Sequence, residues 1–144
     1  MVPFDISVLQ SVYPGCKQIT DKARRLVAEG RIIRLKKDLY VACANGGELS
    51  RELVANHLYG PSYVSMSWAL SLYGLIPERV NLIQSITTKH SRDFSNALGT
   101  FHYQHCAADY FPIGITIKGE SDCRYLIASP EKALCDYICF NKVT

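Results

Sequence analysis

The stretch "GRIIRLKKDLYV", Gly30 to Val41, decides the reading of the fold. Two β-type runs, "RIIRL" and "DLYVA", meet at Lys36-Lys37-Asp38, where the pattern predicts a tight hairpin turn. Asp tolerates positive φ better than most residues, so Asp38 can hold a turn position that would otherwise prefer Gly or Asn. Arg31, Arg34, Lys36 and Lys37 all crowd this one hairpin. A hairpin charged in this way suits contact with phosphates, because neutralising phosphates releases condensed counterions.

Directly upstream, "CKQITDKARRLVAEG" (16–30) predicts a helix. Thr20 is the expected N-cap, and Asp21 suits the positive end of the helix dipole. Ile19, Ala23, Leu26 and Val27 share one face, while Lys22, Arg25 and Glu29 lie opposite with Arg24 beside them. Gly30 is placed to end the helix in a left-handed conformation. Before it, "FDISVLQSVY" predicts a shorter helix that stops at Pro14-Gly15. Helix, tight turn and basic hairpin follow one another in the order of a winged helix-turn-helix, in which a recognition helix precedes a β-wing.

Charge points the same way. Across 144 residues the formal net charge is only +3, but residues 1–37 carry eight Lys/Arg against three Asp/Glu, and residues 38–144 carry eight against ten. Such asymmetry suits nucleic acid or another acidic partner at one end of the chain; a solvated charged face is the plainer alternative. No apolar run approaches the ~20 residues of a membrane span, and "MVPFDISVLQ" lacks the basic and apolar regions of a signal peptide. A cytoplasmic location is expected. Six cysteines at irregular spacing, with no Cys-x-x-Cys, then predict buried reduced thiols rather than a disulfide framework.

Past the breakers Asn45-Gly46-Gly47, which read as a linker, the character changes. A helix is expected over about 51–58, capped by Ser50 and closed by Gly60-Pro61. A second helix is expected over "SYVSMSWALSLYG", capped by Ser62 and stopped by Gly74, with Val64, Trp68, Leu72 and Leu75 near one stripe. Four β-type runs follow, at 82–87, 100–106, 113–118 and 123–128, the last two joined through a turn at Gly119 and Asp122. Ser129 as N-cap, Pro130 at the first helical position and Glu131 open a closing helix whose apolar face would hold Ala133, Leu134, Ile138 and Tyr137.

Three stretches, "LVAEGRIIRLKKDLYV" (26–41), "GPSYVSMSWALSLYGLIPE" (60–78) and "ASPEKALCD" (128–136), together resemble the AbiEi-type antitoxins of type IV toxin–antitoxin, or abortive phage infection, systems. The resemblance runs from about Ile19 to Asp136 and is most specific between Gly60 and Glu78. It implies an α+β chain: an N-terminal winged helix-turn-helix DNA-binding domain over 1–45, then a mixed α/β antitoxin-type domain over 46–144 with two helices, about four strands and a closing helix. It also implies a transcriptional regulator that binds operator DNA, represses its own operon and counteracts a nucleotidyltransferase-like toxin without requiring a stable complex. The chain departs from the family pattern in carrying Asp38 where the wing turn usually has Gly, in a short segment ahead of the recognition helix, and in stopping at Thr144, where such proteins generally run on.

Candidate DNA-contacting residues are Lys17, Lys22, Arg24 and Arg25 on or before the recognition helix, and Arg31, Arg34, Lys36 and Lys37 in the wing. Arg on the helix can read guanine edges, whereas wing lysines position the protein without specifying sequence. The alternative is a protein-interaction module without specific DNA binding. "HYQHC" (102–106) would spread its His and Cys over both faces of a strand, so no metal site is expected. Tyr63, Trp68 and Tyr73 read as core rather than as a base-stacking platform. No Gly-x-Ser-x-Gly, P-loop or His-Glu-x-x-His occurs, and Cys135 and Cys139 are expected to pack, so neither catalysis nor a cofactor is expected.

Overall fold

The computed structural model describes residues 2–43, 49–78, 80–120 and 123–140. The linker read at Asn45-Gly46-Gly47, and with it the 45/46 domain boundary, lies outside the described residues, as does the turn residue Asp122. Among the described residues the chain is α+β, with five helices and two sheets. No helix among them is long and apolar enough to cross a membrane.

The N-terminal part begins with a short strand, β1 (Phe4–Asp5), followed by α1 (Ile6–Val12) and α2 (Ile19–Ala28). Asp5 caps α1, its carboxylate accepting from the amides of Ser7 and Val8 at 2.9 and 3.2 Å. A bond from the Ser7 hydroxyl, then these amide bonds, hold the Asp5 carboxyl below the usual range. Gln10 stitches the following turn, donating to the carbonyls of Tyr13 and Cys16. The expected cap at Thr20 is not made: α2 starts at Ile19 with Gln18 as a cap lacking a side-chain bond, and Thr20 sits in the first turn. The other end follows the sequence. Gly30, at φ 74°, closes α2 with paired bonds from Gly30 N to Val27 O and from Arg31 N to Leu26 O, a Schellman motif.

β2 (Ile32–Lys36) and β3 (Leu39–Ala42) form the expected hairpin, with Asp38 at φ 63° in its turn. β1 pairs with the far side of β3, giving a three-stranded antiparallel sheet in the order β1-β3-β2. Both faces of this sheet are covered. Ile32 and Tyr40 join Leu9, Ala23 and Leu26 in a small core beneath α1 and α2. Leu35 and Val41, with Ile33 and Leu39, pack instead into the large core of the rest of the chain.

The second sheet has six strands where four were expected. It contains β4 (Ser62–Val64), β5 (Leu82–Thr87), β6 (Arg92–Asn96), β7 (Gly99–His105), β8 (Ile115–Lys118) and β9 (Tyr125–Ala128), in the order β6-β7-β5-β4-β9-β8. The helix expected across "SYVSMSWALSLYG" is corrected. Ser62 does not cap a helix but begins the strand β4, and only α4 (Met66–Leu72) is helical. β4 lies inside the sheet, antiparallel to β5 and parallel to β9, with all three residues buried. Val64 therefore leaves the expected stripe; Leu72 and Leu75 are exposed, and α4 buries Met66, Ala69 and Leu70.

Three further helices cover the sheet: α3 (Arg51–Leu58), α4 and α5 (Pro130–Phe140). Ser50 caps α3 as expected, accepting from Leu53 N at 3.1 Å. Register places Tyr103, Ser85 and Val64 on one face, where the Tyr103 hydroxyl donates to the Ala55 carbonyl of α3. Tyr63 projects from the other face toward α5. Asn56 of α3 holds the backbone of β9, donating to Leu126 O and accepting from Leu126 N at 2.6 Å.

At α5 the apolar face expected at Leu134 and Ile138 is again corrected: both are exposed, and the helix buries Lys132, Ala133 and Asp136. The Asp136 carboxylate, fully buried, accepts from the hydroxyls of Tyr63 (3.0 Å), Ser65 (2.5 Å) and Tyr110 (2.6 Å). Lys132 Nζ stands 3.7 Å from it and donates to the Tyr110 carbonyl at 3.1 Å. Burial, then the neighbouring carboxylate, pushes the Tyr63 phenol well up. Gly114, at φ 77°, passes so close that an added Cβ would stand 2.8 Å from Lys132 Cβ, so space and backbone both demand glycine. Removing the carboxylate would strand a buried ammonium and three hydroxyls. Asp136→Ala is expected to cost about 3–5 kcal/mol, read as a lower urea midpoint at unchanged slope.

Candidate nucleic-acid interface

A groove of about 460 Å³ opens between α2 and the β2–β3 hairpin, lined by Thr20, Arg24, Val27, Arg34, Lys37, Asp38 and Tyr40. Its geometry follows from two simple periods. Thr20, Arg24 and Val27 are spaced i, i+4, i+7 and so share one side of α2. Arg34 stands directly across from Tyr40 in the ladder, so both project from the hairpin face that looks toward α2. Lys37 and Asp38 close the groove at the turn. Three cations and one carboxylate thus meet around hydroxyls on Thr20 and Tyr40, a surface that suits a polyanion. Arg24 also reaches Asp21 at 3.4 Å, but both side chains are exposed and the pair is weakly held.

Of the eight basic residues expected to contact DNA, Arg24, Arg34 and Lys37 come together in this groove. Lys17 is exposed in the connection before α2, Arg25 is exposed on α2, and Arg31 is exposed where the hairpin begins. Lys22 turns toward α1 and lies 4.9 Å from the Tyr13 ring centroid. Lys36 points away from the groove. A β-bulge between Arg34 and Lys36 sets Lys36 opposite Leu39, on the hairpin face that meets the large core. There its ammonium lies 5.7 Å from the Phe94 ring, and burial, then Lys89 and Arg92, lowers its pKa.

Sequence reading passed over Lys89 and Arg92. Both lie some fifty residues from the hairpin, around a strand too polar to announce itself, and nothing in the spacing links them to Lys36. It also passed over Thr20 and Tyr40 as polar lining.

Elsewhere the other candidates are scattered. His102 Nδ1 is bonded to Asp93 across β6 and β7, while His105 is exposed and its Nδ1 donates to the Lys89 carbonyl at 2.9 Å. Cys106 is buried just beyond β7. Among the cysteines Cys106 alone is buried; Cys43, Cys135 and Cys139 are exposed, which corrects the expectation of buried thiols and of packing for the pair on α5. Both stand at the surface of α5, and Cys139, three residues on from Asp136, lies beside Tyr110 and Cys106. Tyr63 is buried in β4, Trp68 donates to Glu52 at 3.0 Å, and Tyr73 donates to the Ala128 carbonyl at 2.7 Å, so each aromatic is engaged separately.

Comparison with protein-family models and with curated proteins returns no match for this chain.

Asp38 is the one carboxylate among the residues lining the groove. Asp38→Gly removes it while suiting the φ of 63°. The thermal midpoint is expected to hold or rise, and affinity for a non-specific duplex at low salt to strengthen by up to about 1 kcal/mol, the scale of one unit charge a few ångströms away in water. A melting curve and an anisotropy titration check both.

Proposed function

We propose that this protein is a winged-helix DNA-binding repressor and antitoxin of the AbiEi type. In this reading α1 and α2 form the helix-turn-helix, α2 is the recognition helix, and the β2–β3 hairpin is the wing. The observation that carries it is the groove between α2 and the hairpin, in which Arg24, Arg34 and Lys37 converge. A phosphate backbone lying there would be gripped from the hairpin by Arg34 and Lys37. Arg24, on the helix itself, would reach for base edges. Thr20 and Tyr40 would add neutral hydrogen bonds to backbone oxygens.

The chain would act in the cytoplasm on operator DNA upstream of its own gene, and the six-stranded part would support neutralisation of a nucleotidyltransferase-like toxin. The reading assigns it no catalytic step and no cofactor. A second reading, a protein-interaction module, draws on Leu72, Leu75, Leu134 and Ile138, which stand exposed on α5 and at the end of α4. That surface is compatible with a repressor that also holds a partner, so the two readings separate only on DNA.

Fluorescence anisotropy with duplex from upstream of the gene, against a scrambled duplex over a range of salt, tests the proposal. Wild type is expected to prefer the upstream duplex with a steep log–log salt dependence. Arg24→Ala should lose about 1–3 kcal/mol on that duplex and relax the preference. Lys37→Ala should weaken both duplexes alike and flatten the slope by about 1. Equal, salt-insensitive binding by wild type would end the repressor reading.

A further inference from the structure

We infer that Lys36, Lys89 and Arg92 form a second contact for the phosphate backbone of duplex DNA, carrying the track of the groove around the hairpin tip onto the edge of the six-stranded sheet. The inference rests on the DNA-binding reading and extends it to residues outside the helix and wing.

Three observations support it. The first is position. Lys37 lines the groove, and its neighbour Lys36 points out of the opposite hairpin face, so the two patches are continuous through one peptide bond. The second is how the cations are held. Lys89 Nζ lies 5.1 Å from the Tyr59 ring centroid, while Arg92 lies 6.0 Å from Tyr59 and 4.5 Å from Phe94. The Tyr59, Phe94 and Tyr103 rings pack edge-on or tilted upon one another, which fixes the platform. Cations seated on aromatic faces keep their outward side for an anion and have little side-chain entropy left to lose.

The third is what the face lacks. Strand alternation sends Arg92 and Phe94 to this side and Asp93 to the other, where Asp93 is bonded to His102. Among the described residues no carboxylate forms an ion pair with Lys36, Lys89 or Arg92. Three neighbouring cations with no carboxylate partner repel one another, and a phosphate between them relieves that repulsion. The platform is tied to the hairpin by Asn96 of β6, which donates to the Leu35 carbonyl at 3.2 Å. Groove and patch therefore keep a fixed relation.

The test is the salt slope of duplex binding for Lys89→Ala/Arg92→Ala, read beside wild type and beside Lys118→Ala/Arg124→Ala, which removes the same charge elsewhere. Expected is a slope lower by about 2 for the first pair, since each phosphate contact contributes ~0.9, with the preference for the upstream duplex kept. The control pair is expected to retain the wild-type slope. Lys89→Gln/Arg92→Gln keeps apolar stems over the rings and should give the same loss, which guards against an unfolded alanine variant. A wild-type slope in both patch variants would overturn the inference and leave the patch to an acidic protein. An equal loss in the control pair would overturn it as well, reducing the effect to net charge. Absence of salt-sensitive binding by wild type itself would instead mark failure of the underlying DNA-binding reading.

Discussion

The carboxylate of Asp136 is the constraint on which the larger part of the molecule depends. Two segments distant in the chain, Gly60–Glu78 and Ala128–Asp136, meet at this one group: Tyr63 and Ser65 come from the first, Lys132 and Asp136 from the second. Their chemistry is structural. A buried carboxylate is expensive unless its lone pairs are filled, and here three hydroxyls donate to it while the Lys132 ammonium balances its charge from 3.7 Å. The same bonds satisfy hydroxyls that would otherwise be buried unpaired. The network therefore selects which side of α5 turns inward. Hydrophobicity alone would have buried Leu134 and Ile138. The polar cluster instead rotates them to the surface, because stranding Tyr63, Ser65 and Tyr110 costs more than exposing two aliphatic side chains.

From that anchor the order of the sheet follows. Asp136 holds β4 through Tyr63, and β4 pairs with β5 on one side and β9 on the other. β5 carries β7, and β7 carries β6. At that far edge the sheet meets the basic hairpin, through the bond from Asn96 to Leu35 and through Leu35 and Val41 in the shared core. The hairpin is held in place by packing on both of its faces. The groove beside α2 is thus set by two cores.

Local signals were legible where a single residue type has a single physical job. Gly30, Asp38, Ser50, Ser129 and Pro130 each act as read, because caps and positive-φ turns depend on short-range geometry. β4 was not legible. It is three residues long and buried on both faces, so it shows no alternation, and its Tyr-Val pair runs on into the helical pattern of α4. β6 failed for the opposite reason: "RDFSN" is polar, and it is a strand because the tight Asn96–Gly99 connection folds it against β7. In both cases pairing with a neighbouring strand decided what local composition could not.

At the candidate interface the sequence supplied the residue types but not their directions. Counting positions along β2 would place Lys36 on the same face as Arg34, two residues away. The bulge sets both Leu35 and Lys36 opposite Leu39, and the alternation slips by one. That one extra residue divides the hairpin's charges between its two faces, leaving Arg34 and Lys37 with Arg24 in the groove and sending Lys36 to Lys89 and Arg92. Without the bulge Lys36 would join Arg34 on the hairpin face toward α2. With it, the hairpin carries positive charge around its tip while Ile33, Leu35, Leu39 and Val41 still reach the core. The irregularity reconciles two demands on nine residues, burial against the large sheet and a charged outer edge, that a regular ladder could not meet together.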